Sequence, residues 1–276
     1  MPGALELVHC IGICGRRWLL AAVLLGSSPA RAHDFWIEPS SFHPLPGATV
    51  TAALYVGQDL IGDPVPYMSG AIDRFFVRQD GEDQTITGSD GQHPAGALRA
   101  SGNTTAIIAY SSNSALVELP ADRFEAYLKQ YSLVGIIAER AYRDENTKPA
   151  RECFYRYAKA LLAGAEPSPL VTQPLALAYE IVPDDDPTGG FDEFRARIFY
   201  HGEPLANALV LALHKGDQFV RLFARSDAQG AFSMHLPRSG VWLIKSVHMV
   251  RAGLFSDCDW KSSWASLTFE IPAKLP

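Results

Sequence analysis

The chain has 276 residues, of which 47% are hydrophobic and 20% charged, with a net charge of −6. That length and apolar content are enough for one large packed domain or two of ordinary size. An acidic balance excludes nucleic acid and anionic membrane surfaces as the natural partners.

The first 32 residues read as an export signal. Arg16 and Arg17 supply a positive start, Trp18 to Gly26 an apolar stretch, and Ala30-Arg31-Ala32 the small residues at which a signal peptidase cuts. The apolar stretch is too short for a membrane span. Cleavage after Ala32 removes Arg16, Arg17, Arg31 and Glu6, leaving 21 basic against 29 acidic residues, a net −8. It also takes away Cys10 and Cys14, so Cys153 and Cys258 remain, either to pair in an oxidising compartment or to stay as separate thiols. The new first residue is His33, whose free amine and imidazole together can chelate one metal ion.

Residues 33–119 read as a small β-domain. Thr49–Gly57, Ile72–Gln79, Thr105–Ser111 and Ala115–Leu119 have strand composition, with Asp80-Gly81 and Asp90-Gly91 as turn signals between them. Residues 120–165 read as a helical insert. Phe124, Tyr127, Leu128 and Tyr131 recur at helical spacing after Pro120-Ala121-Asp122, and Pro149 predicts a second helix through Ala150–Ala163. In that helix Arg151, Glu152, Arg156 and Lys159 suit a charged surface, with Phe154, Tyr155 and Tyr157 packing inward.

Pro167-Ser168-Pro169 marks a linker, and residues 170–276 read as a sandwich of the immunoglobulin or prealbumin type. Its strands are Leu175–Pro183, Phe194–Tyr200, Leu209–His214, Phe219–Ala224, Ala231–Leu236, Val241–Val250 and Trp264–Ile271. The expected fold is thus mainly β: two sandwich-like domains with a helical insert between them.

No H-x-x-x-H, HExxH, CxxC or GxSxG occurs after residue 32, so zinc-protease, structural-zinc and nucleophile-elbow chemistry lack a motif. Asp184-Asp185-Asp186 reads as a solvated loop. Two histidines stand out. His33 carries the terminal amine, and His248 ends a strand in which Trp242, Ile244, Ser246, His248 and Val250 share one face, with Met249 on the other. Asp257 and Asp259 follow in the next loop, and Asp34 adjoins His33. Amine plus imidazole suits nickel or copper in a nitrogen-rich geometry, and a carboxylate from Asp34, Asp257 or Asp259 completes the shell.

Four stretches carry a family resemblance: Ala32-His33-Asp34-Phe35-Trp36-Ile37-Glu38-Pro39, Arg151-Glu152 through Leu161, Gly240-Val241-Trp242-Leu243-Ile244 through His248-Met249, and Trp264-Ala265-Ser266-Leu267-Thr268-Phe269. Together they resemble the NikM-like periplasmic proteins of unknown function associated with nickel uptake. The resemblance implies an exported, β-rich protein that binds a transition-metal ion for an envelope transport component, with His33 and His248 as ligands. The alternative expectation is a non-metal accessory or adhesion module that binds an envelope protein. A third, a copper-dependent oxidase, needs an open coordination position.

Overall fold

A computed structural model describes residues 34–191, 193–216 and 219–273. β1 (Asp34–Pro39), β2 (Thr49–Gln58) and β3 (Ile61–Val65) form an antiparallel sheet, which β6 (Gly96–Arg99) joins along β2. β4 (Ile72–Gln79), β5 (Glu82–Thr85), β7 (Ala106–Ser112) and β8 (Ala115–Leu119) belong to a second, larger sheet. Helices α1 (Ala121–Gln130) and α2 (Val134–Tyr142) then interrupt the strands. The 13-residue β9 (Ala150–Leu162) returns the chain to the larger sheet.

The C-terminal half supplies β10 (Tyr179–Pro183), β11 (Phe194–Tyr200), β12 (Glu203–Pro204), β13 (Leu209–Lys215) and β14 (Val220–Arg225). β15 (Ala231–Met234), β16 (Gly240–Arg251) and β17 (Trp260–Ile271) complete it. β10, β11, β12 and β15 make a third, four-stranded sheet. The large sheet has nine strands in the order β14-β13-β16-β17-β9-β7-β4-β5, with β8 also on β9. All its pairs are antiparallel except β17 with β9.

This sheet takes strands from all three expected segments, so the two sandwiches share it instead of standing as separate domains. On one face Trp242, Ile244, Leu267 and Phe269 pack with Tyr179, Ile181, Phe194 and Phe232. On the other, Val77, Ile108, Ala158 and Ala160 pack with Phe35, Ile37, Val50 and Leu54. A third core sets Phe124, Tyr127 and Leu128 of α1 against Trp260, Trp264, Val247 and Met249. The expected mainly β, sandwich-like class is therefore borne out. Among the described residues no helix is long and apolar enough to cross a membrane.

The helix expected over Ala150–Ala163 is instead β9. Its run of aromatic and small apolar residues fits both periods, and pairing on both edges decides the outcome. As a strand it sends Ala158, Ala160 and Leu162 to one core and Tyr157 and Leu161 to the other. Arg151, Glu152, Arg156 and Lys159 consequently do not share one charged helix surface. The helical insert narrows to α1 and α2, and α2 had no periodic signal strong enough to be read.

Cys153 of β9 and Cys258, before β17, form a disulfide spanning 105 residues. In the chain-entropy account, closing so long a loop removes much freedom from the unfolded state. Replacing both cysteines by Ala is expected to cost about 2–4 kcal/mol in denaturant unfolding.

Candidate functional site

His33 lies outside the described residues. Asp34, the first residue of β1, is buried at 2% exposure. Its Oδ1 accepts a hydrogen bond from the Tyr131 hydroxyl at 3.2 Å and a charged one from the Lys245 ammonium. Its Oδ2 is buried and has no partner among the described residues. Burial, together with the Asp34 charge and hydrogen bond, pushes the Tyr131 hydroxyl far above its ordinary value, so it stays protonated and donating.

The strand that carries Asp34 is fixed along its length, from Asp34 opposite Gly57 to Pro39 opposite Ala52. The β2–β3 turn beside it holds Asp59 and Leu60 at positive φ, and Asp59 is ion-paired to Arg221 of β14. A short polar side chain such as Asp tolerates that conformation best, whereas Leu60 is held there by burial beside Trp36, Leu213 and Leu243.

His248 stands on the opposite face of β16 from Lys245, as strand alternation requires. Its ring packs edge-on against Tyr200 at 4.5 Å and lies 6.1 Å from Tyr179. Tyr200 has a second imidazole beside it, that of His201 at 4.4 Å. Burial, and then His201, hold the His248 imidazole below the ordinary histidine value.

Asp259 is committed to Arg151. Its Oδ1 accepts from the guanidinium at 2.9 Å and its Oδ2 from the Arg151 backbone N–H at 2.9 Å. Burial would raise this carboxyl, but the Arg151 hydrogen bonds and charge outweigh it and hold the group below the usual carboxylate range. Asp257 is exposed in the same loop.

The four described candidates therefore do not form one site. Asp34 meets the Lys245 side of the sheet, whereas His248 is on the other side. His248 pairs with Ser263, four residues along β17 from Asp259, a separation of about 13 Å at strand rise. Among the described residues no three His, Cys, Asp or Glu side chains gather as a metal would need. What the sequence reading missed was Lys245 and Tyr131. A lone lysine inside the apolar run Trp242-Leu243-Ile244-Lys245-Ser246-Val247 was the available signal, since a buried ammonium requires a carboxylate.

Residues 30–250 match the family described as Domain of unknown function (DUF4198). The chain belongs to that family. No curated protein matches it. Among solved structures it has some likeness to a tetra-tandem repeat in the extending region of a large adhesion protein. There the identity is 10% and the TM-score 0.23, over 88% of this chain and 50% of that one. This chain thus spans half of that structure. The D0-D1 domain of intimin aligns at 9% identity and a TM-score of 0.19, over 86% of this chain and 97% of that one. Superpositions this loose carry no weight for fold or role. Membership of the family assigns no activity.

Two outcomes are expected here. Replacing Asp34 by Asn leaves Lys245 buried without a counter-charge and is expected to cost about 3–5 kcal/mol in denaturant unfolding. For His248 the folded pKa lies below the unfolded value of about 6.5, so the unfolded chain binds the proton first. Its contribution to stability is intact above that pH and is lost as pH falls through 6.5 towards the folded value. The slope is at most about 1.4 kcal/mol per pH unit, reduced by the ring's partial exposure. Thermal unfolding from pH 8 to 5 should show a shallower acid limb in His248→Gln.

Proposed function

We propose that the protein is exported, that cleavage after Ala32 leaves His33 at the amino terminus, and that the mature chain binds nickel or copper there. On this reading it buffers the ion or passes it to an envelope transport component. One observation carries the reading: the buried Oδ2 of Asp34, which has no partner among the described residues and lies one residue from the chelating histidine. An orphaned buried acceptor costs about 1–3 kcal/mol, and a coordinated cation removes that cost. The charge on the same carboxylate is already anchored at Oδ1 by Lys245 and Tyr131.

β1 adds support. Chain ends normally fray, but this strand is ordered from Asp34 onwards, so little ordering cost remains for a site beside it. The donor set is an amine, an imidazole and one carboxylate oxygen, which suits nickel or copper. His248 and Asp259 stand apart from that set. Both nitrogen donors must lose a proton to bind, so affinity should fall as the solution is acidified below about pH 7.5.

The test compares correctly processed protein with a form carrying one extra residue before His33, each titrated with Ni(II) and Cu(II). The processed form is expected to bind at least about tenfold more tightly, a difference of about 1.4 kcal/mol. Equal binding by the two forms, or none by either, overturns the terminal chelate. A second reading, an accessory module for an envelope protein, draws on Leu254 and Phe255. These stand fully exposed, at 98% and 102%, in the loop before β17. It is favoured if neither form binds metal and charging both residues abolishes association with an envelope protein.

A further inference from the structure

We propose a second site, independent of the metal reading: a cavity beside β8 that binds a small organic carboxylate through Arg156. Arg156 stands on β9, and its guanidinium carbon lies 5.1 Å from the ring centre of Phe35 and 4.9 Å from that of Phe154. Stacking on two rings fixes the plane of the guanidinium. Its backbone N–H donates to Ser112, but no carboxylate or carbonyl among the described residues accepts from the side chain. Arg156 is half-buried, whereas the fully buried Arg140 has all its partners within the protein. Those partners are Glu125 at 2.7 Å and the carbonyls of Glu145 and Lys148 at 2.6 and 2.9 Å.

A cavity of about 130 Å³ opens on this unpaired cation. Leu54, Val65, Met68 and Ile72 form apolar walls, and Tyr110, Ser112 and Ser114 add hydroxyls. Among the described residues that line it, Arg156 alone is charged. The Tyr110 hydroxyl likewise lacks a hydrogen-bond partner among the described residues. Burial pushes it up to about 12, against the pull of Arg156, so it remains a donor.

One cation, a phenol donor and apolar walls select a monoanion with an apolar body. A guanidinium fork matches a carboxylate in bidentate fashion. A multiply charged oxyanion would need a second cation, which the lining lacks. A cavity near 150 Å³ accommodates benzene, so branched aliphatic or benzoate-sized acids are the class that fits.

The test is calorimetric titration of the purified protein with benzoate, isobutyrate, benzamide and sulfate. The two carboxylates should bind more tightly than benzamide, which has the same shape without the charge, and than sulfate, which has charge without an apolar body. Replacing Arg156 by Gln should weaken benzoate binding about ten- to hundredfold. That variant also loses the stacking on Phe35 and Phe154, so its fold is checked by thermal unfolding beside the parent. Should it fail to fold, Tyr110→Phe provides the second arm, with an expected loss of about two- to tenfold. The proposal is overturned if benzamide or sulfate matches benzoate, if neither acid binds, or if the variants bind as the parent does.

Discussion

Two buried lysines, one on each face of the central sheet, tie its covering layers to it. Lys245 of β16 reaches Asp34 of β1, and Lys159 of β9 reaches Glu180 of β10 at 3.1 Å, with both partners at most 6% exposed in each pair. Glu180 also accepts the Leu175 backbone N–H. Desolvation pulls the Lys159 ammonium down, while Glu180 opposes it. Such pairs add little net stability over an apolar pair of equal volume, but each is costly to break. Their effect is on register. A one-residue slip in β16 or β9 would send its lysine to the wrong core.

The helices are joined by a related arrangement. Glu152 of β9 accepts from Tyr127 of α1 at 3.1 Å and from Ser262 of β17, and Ser262 in turn accepts from Trp264 at 3.1 Å. Burial raises the Glu152 carboxyl despite these donors. Each of the three layers that cover the central sheet thus meets it at one buried ionisable group. This follows from burying a sheet on both faces, where any polar side chain in the middle strands must find its partner in the opposing layer.

Much of this was legible in the residues. Alternation in β16 correctly separated Trp242, Ile244 and Ser246 from Met249, because a strand between two cores must sort its side chains by parity. β4 and β8 fall where turn chemistry and composition place them. β9 was not legible, since its small and aromatic residues satisfy helix and strand alike until partners are known. β1 was read only as a cleavage-site neighbour, because six residues give too little pattern. The Asp34–Lys245 pair spans 211 residues, and no local spacing encodes it. The Cys153–Cys258 pairing is not encoded locally for the same reason: it depends on the parallel contact of β9 and β17. Arg156, which the sequence places on a charged helix surface, faces Phe35, next in sequence to Asp34, so β1 borders both candidate sites.

The position of β17 has a consequence for how the protein is made. The last of the described strands sits in the interior of the nine-stranded sheet, between β16 and β9, and not at its rim. A chain synthesised from its amino end therefore cannot close the large sheet between β16 and β9 until β17 has emerged. Until then β9 offers one bare edge, a state that folds slowly and invites wrong pairing. The order of synthesis thus keeps the large sheet open until its central strand arrives.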